Sequence, residues 1–101
     1  MINIGCNEEH RFCFPYDLHN VRDLYITYKQ GARFVLEKTL DEVAVSDGIL
    51  VTYLTGDETI LFDANTAVRL QIYGHFLDGT PFKSNVIRTT TDELLKEIDH
   101  E

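Results

Sequence analysis

One stretch constrains this chain more than any other: Ala67 to Thr90, AVRLQIYGHFLDGTPFKSNVIRTT. Within it Val68, Leu70, Ile72 and Phe76 alternate with Arg69, Gln71, Tyr73 and His75. A period of two sends one set into a core and the other toward water, which is the pattern of a half-buried β-strand. Asp78-Gly79 supplies a turn, because glycine takes positive φ without a Cβ clash. Phe82 to Thr89 then returns antiparallel, completing a long hairpin. The expected loop has three residues with Gly79 left-handed, which sets Phe82 opposite Gly74 and Val86 opposite Leu70. An aromatic then covers the gap that Gly74 leaves. A two-residue loop would instead set Arg88 against Arg69.

The same reasoning divides the rest of the chain. Residues 1–8 show no periodicity and read as a loose leader. His10 to Phe14 makes a first strand with Phe12 and Phe14 on one face, ended by Pro15, which lacks an N–H donor. Val21 to Lys29 alternates cleanly: Leu24, Ile26 and Tyr28 face a core, while Asp23, Tyr25, Thr27 and Lys29 face out. A Gln30-Gly31-Ala32 turn leads into Arg33 to Lys38, with Phe34 and Leu36 expected inward. A short edge strand is expected around Val43-Ala44-Val45. Ser46-Asp47-Gly48 turns it into Ile49 to Leu54, whose β-branched and aromatic set Ile49, Val51 and Tyr53 is the expected inner face. Thr55-Gly56-Asp57-Glu58 is a capping box that opens one helical turn, Asp57 to Phe62, and drops Ile60, Leu61 and Phe62 over one end of the sheets. Leu94, Leu95 and Ile98 fall at helical spacing, so the acidic segment 92–101 reads as a short C-terminal helix or arm. Six to seven short strands joined by Asp-Gly and Gln-Gly turns predict an all-β fold. The expected form is one domain over residues 1–101, an antiparallel immunoglobulin-like β-sandwich.

Composition narrows the partners. The formal charge is −8, with 17 acidic residues against nine basic. A nucleic-acid binder draws its affinity from a basic face, so neither nucleic acid nor an anionic membrane is expected as a partner. No apolar run reaches the roughly 20 residues that span a bilayer. The N-terminus MINIGCNEEH has neither the basic nor the apolar region of a signal peptide, so synthesis and folding in a cytoplasm are expected. Cys6, His10, Cys13 and His19 form Cys-x3-His-x2-Cys-x5-His, which invites a zinc reading. On a strand His10 and Cys13 point to opposite faces, and structural zinc sites hold paired ligands two to four residues apart. No metal and no cofactor is expected.

Enzyme signatures are missing. The sequence contains no GxSxG, GxxxxGK[ST], dinucleotide fingerprint or HExxH. His75, on the outer face near Asp78, is the best candidate base, and a solvent-facing strand histidine explains it as well. The adjacent carboxylates Asp41-Glu42, Asp57-Glu58 and Asp92-Glu93 diverge along the backbone and make no shared centre. The outer face is more informative. Tyr25, Tyr73, His75 and Ile87, with Leu54, sit among polar residues, and aromatics on a sheet face are enriched at protein interfaces. Tyr25, Tyr73, His75 and Ile87 form the candidate interface.

NVRDLYITYKQGARFVLEKTLDEV, LTGDETILFDANTAVRLQI and DGTPFKSNVIRTT together resemble a family of small phage- and prophage-encoded proteins of Gram-positive bacteria. The likeness runs from about Asn20 to Thr91; its motifs are structural rather than catalytic. Such proteins are similar in build to β-sandwich modules of phage tails and baseplates. The resemblance implies a virion or prophage structural protein that packs as a homo-oligomer or against other virion proteins. An accessory module binding a host-surface carbohydrate, with Tyr25 and Tyr73 as its stacking platform, is the alternative. An enzyme inhibitor acting through its acidic surface comes third. The leader and the DELLKEIDHE tail depart from the family.

Overall fold

A computed structural model describes residues 1–93; the expected C-terminal helix or arm lies outside them. Eight strands are present among these residues: β1 (Glu8–Cys13), β2 (Val21–Gln30), β3 (Arg33–Thr39), β4 (Val43–Ser46), β5 (Ile49–Leu54), β6 (Ala67–Phe76), β7 (Pro81–Lys83) and β8 (Ile87–Thr90). A single helical turn, α1 (Gly56–Thr59), precedes β6. The strands form two antiparallel sheets, one ordered β1-β5-β4 and the other β3-β2-β6-β7, with β8 also on β6. No helix among the described residues is long and apolar enough to cross a membrane.

The alternation in β6 decides the core. Val68, Leu70 and Ile72 are buried, and they lie beside Tyr28 and Ile26 of β2, with Leu70 opposite Tyr28 and Ile72 opposite Ile26. Leu50 and Leu54 of β5 meet them from the other sheet, giving a sandwich-like all-β fold. Each such side chain contributes about 1.5–3 kcal/mol on burial, so a one-residue slip of β6 would forfeit several of these at once.

The β6–β7 loop has the expected form. Phe76 N donates to Thr80 O and Gly79 N donates to Phe76 O, both at 2.9 Å, with Gly79 at φ 90°. Phe82 accordingly pairs with Gly74. Beyond Lys83 the return strand leaves the ladder. Ser84 caps Ile72, donating from its N to Ile72 O (2.8 Å) and accepting from Ile72 N on Oγ (3.0 Å). The chain rejoins β6 one residue out of step, so Ile87 and not Val86 lies opposite Leu70, and Arg88 lies opposite Arg69. Val86 is left exposed.

Three other expectations are corrected. The segment before β1 is no loose leader: Ile2 and Ile4 are buried, Ile2 bridges Thr91 in parallel, and Ile4 N donates to the Asp92 carboxylate. Phe34 is 55 % exposed, because a bulge lets Leu36 face Tyr28 while Phe34 faces Lys29. Val35 is the extra residue, and strict alternation fails across it. In β5 the inner face is Leu50, Thr52 and Leu54, while Ile49 and Tyr53 are exposed. The two-residue Asp47-Gly48 turn pairs Ser46 with Ile49, and pairing with β1 places Leu50 against Phe12 and Thr52 against His10. Two leucines fill the seam, and the Tyr53 hydroxyl stays in water beside Glu9, whose carboxylate bonds it and raises its pKa. The capping box at Thr55 and Glu58 forms as expected; past α1, Phe62 is buried while Leu61 is exposed.

Candidate functional site: the outer face of the five-stranded sheet

Cross-strand register defines this face residue by residue. One row runs Thr39–Tyr25–Tyr73–Lys83 across β3, β2, β6 and β7. The next holds Glu37, Thr27 and Gln71, and a third runs Phe34–Lys29–Arg69–Arg88. At the other end Asp23 lies opposite His75. Directly opposed residues on antiparallel strands share a face, so these side chains form one surface.

Tyr25 and Tyr73 stack, with ring centroids 5.2 Å apart and planes at 28°. Both stand on the central ten-residue strands, so the pair is held on the most rigid part of the sheet. Tyr73 is 43 % exposed. Beside it lies an open depression of about 480 Å³, lined by Phe34, Thr27, Glu37, Arg69, Tyr73 and Val86 among others. His75 Nδ1 is 2.9 Å from Asp23 Oδ1, so its partner is Asp23 rather than Asp78. That hydrogen bond, with help from Arg22, holds the Asp23 carboxyl below the usual carboxylate range.

Two residues expected outside are not there. Leu54 is buried in the seam. Ile87, paired with Leu70, packs half-buried against the core and lines a groove with Phe12, Phe14 and Ile72 between the edges of the two sheets. The one-residue shift after Ser84 turns it inward. The candidate interface therefore keeps Tyr25, Tyr73 and His75 and loses Ile87; it gains Phe34, Val86, Lys29, Arg69 and Arg88. The bulge and the register shift that expose Phe34 and Val86 leave no mark in the alternation.

The Cys/His set does not converge. His10 Nδ1 lies 2.7 Å from the Tyr28 hydroxyl at the inner seam, and burial lowers its pKa. Cys6 and Cys13 are exposed. His19 bonds Asp17, which raises the pKa of the histidine and, with the His19 backbone N–H, lowers that of Asp17. Asp47 joins them to form an exposed trio whose ligand atoms all lie within 4.8 Å of one another, with Asp17 and His19 bonded to each other.

No family model, no curated protein and no solved structure matches the chain.

Proposed function

We propose that this protein is a non-enzymatic packing module that docks on copies of itself and on neighbouring proteins through the outer face of its five-stranded sheet. The observation that carries this reading is the stacked Tyr25–Tyr73 pair on the two long central strands, with Tyr25 half-buried and the exposed Tyr73 lining one depression together with Phe34 and Val86. Aromatic and arginine side chains set on a rigid surface are the usual energetic centres of protein interfaces. The sequence resemblance over about Asn20 to Thr91 supports a place among phage or prophage structural proteins, in a tail or baseplate. In that reading the protein is made in the cytoplasm of the host and works in the virion.

An immunoglobulin-like topology belongs to the same proposal. The orders β1-β5-β4 and β3-β2-β6-β7 follow B-E-D and C′-C-F-G of that fold when the strands are lettered in chain order from B. Among the described residues no strand pairs with the outer edge of β1.

Light scattering over a concentration series tests the function. A discrete oligomer is expected, and Tyr25→Ala/Tyr73→Ala should weaken it by about 2 kcal/mol or more. A strict monomer that is retained on a glycan array through the same two rings would overturn it in favour of the carbohydrate-binding alternative, for which the stacked pair is a ready platform.

A further inference from the structure

The outer face carries a charge pattern opposite to that of the chain. Lys29, Arg69, Lys83 and Arg88 project from it, four of the nine basic residues, against Asp23 and Glu37 of the 17 acidic ones. Lys29, Arg69 and Arg88 are direct cross-strand neighbours. Like charges placed opposite one another destabilise a sheet. The ion pairs among the described residues engage Arg11, Arg22, Arg33 and Lys38, and none engages these four. Arg69 donates to Gly31 O at 2.7 Å, which fixes the guanidinium without neutralising it. The two carboxylates on the face are already bonded, Asp23 to His75 and Glu37 to Thr27.

Acidic groups gather beyond Thr39, where β3 ends and whose hydroxyl donates to Asp41 and Glu42. Asp41 and Glu42 form the turn after β3, and Asp57 and Glu58 open α1. Lys38 Nζ lies 2.6 Å from Glu58 and 3.8 Å from Glu42, which draws the two turns together around one cation. Glu42 and Glu58 therefore share one buried ammonium, and Asp41 and Asp57, their neighbours in sequence, are exposed beside them.

We infer that the cationic, aromatic outer face of one copy binds the acidic end of another copy, Asp41, Glu42 and Asp57, in a head-to-tail contact. This inference rests on the packing reading above and deepens it by naming the partner surface. A two-fold axis through the Lys29–Arg69–Arg88 row would set these unneutralised cations against their own copies, so an isologous dimer centred there is disfavoured. A heterologous contact matches charge to charge and leaves each copy with one free face and one free end, which builds a ring or a filament. The face is about 33 Å long on its two ten-residue strands and is flanked by the shorter β3, β7 and β8.

The experiment uses the full chain and two charge-reversed variants, Lys29→Glu/Arg88→Glu and Asp41→Lys/Asp57→Lys, all at exposed positions, with circular dichroism showing that both fold. Sedimentation should find the wild type associated at about 0.05 M salt and weakened tenfold or more at about 0.5 M. Each variant alone should be monomeric, and an equimolar mixture of the two should associate again. A mixture that stays monomeric overturns the inference, as does a wild-type dimer indifferent to salt. Wild-type assembly that survives Lys29→Glu/Arg88→Glu leaves the packing reading standing and removes only this contact. A wild type that is monomeric throughout, yet binds an anionic polysaccharide through these cations, overturns both.

Discussion

Replacing Gly74 with alanine should break the link between the fold and its outer face. Gly74 lies opposite Leu24, next to the point where β2 bulges between Val21 and Asp23. A Cβ built there would overlap the Asp23 carbonyl oxygen and stand 3.0 Å from the Leu24 Cα. Both are backbone atoms of the neighbouring central strand, so relief requires the β2–β6 ladder to open rather than a side chain to turn. Overpacking of this kind typically costs about 1–3 kcal/mol, and the backbone obstacle argues for at least about 2 kcal/mol. For a domain of this size that lowers the melting temperature by about 8–16 °C. The same opening separates Tyr25 from Tyr73, directly opposed one residue away, so the near-ultraviolet tyrosine dichroism should fall with it. Gly31→Ala is the control: it meets nothing within 4 Å and bears only the strain of φ +61°, about 1 kcal/mol. Calorimetry and near-ultraviolet dichroism of both variants decide. Gly74→Ala as stable as the wild type, or no worse than Gly31→Ala, would refute the reasoning.

Three further outcomes are expected. Thr52 is fully buried and its hydroxyl has no hydrogen-bond partner among the described residues, so Thr52→Val should raise stability by about 1 kcal/mol in denaturant titrations. Lys38→Met should destabilise by somewhat less than the roughly 3–5 kcal/mol of a fully buried broken pair, because Glu58 keeps partial contact with water. Burial acts to raise the Glu58 pKa, but hydrogen bonds from Lys38 and the Thr55 backbone overcome it and leave it lowered, so this contribution is present above the usual value of 4.5 and lost as pH falls through the folded-state value. The acid limb of the stability profile should therefore flatten in Lys38→Met. His10 is lowered from 6.5 by burial and contributes stability that is lost as pH falls below 6.5 through its folded value. His19 is raised by Asp17, so its contribution is present below 6.5 and lost above. An NMR titration should show the His10 ring titrating below His19; the reverse order would contradict both assignments.

Periodicity made much of this fold legible. The inner faces of β2 and β6 followed from alternation, because long strands with charged residues on one side leave a single choice of core. The Gly79 turn and the Thr55 capping box were legible for a local reason: each satisfies its own backbone within a few residues. What escaped was set by distant contacts. Phe34 faces water because a bulge inserts Val35, and Ile87 faces inward because Ser84 interrupts the ladder. In β5 two leucines and a threonine displaced a set that looked more strand-like, since the facing sheet and not intrinsic propensity chose the buried side. The Tyr25–Tyr73 pair was visible as two outward aromatics, but the cation row two positions along depends on the register of three strands, which alternation alone does not fix.

The central claim is that the outer face around Tyr73 is where this protein packs. Tyrosine-selective chemical labelling of the full chain, read by mass spectrometry across a dilution series, tests it most directly. Tyr73 should react freely in the dilute monomer and become protected as the protein associates. Full reactivity of Tyr73 in a completely assembled sample would contradict the account.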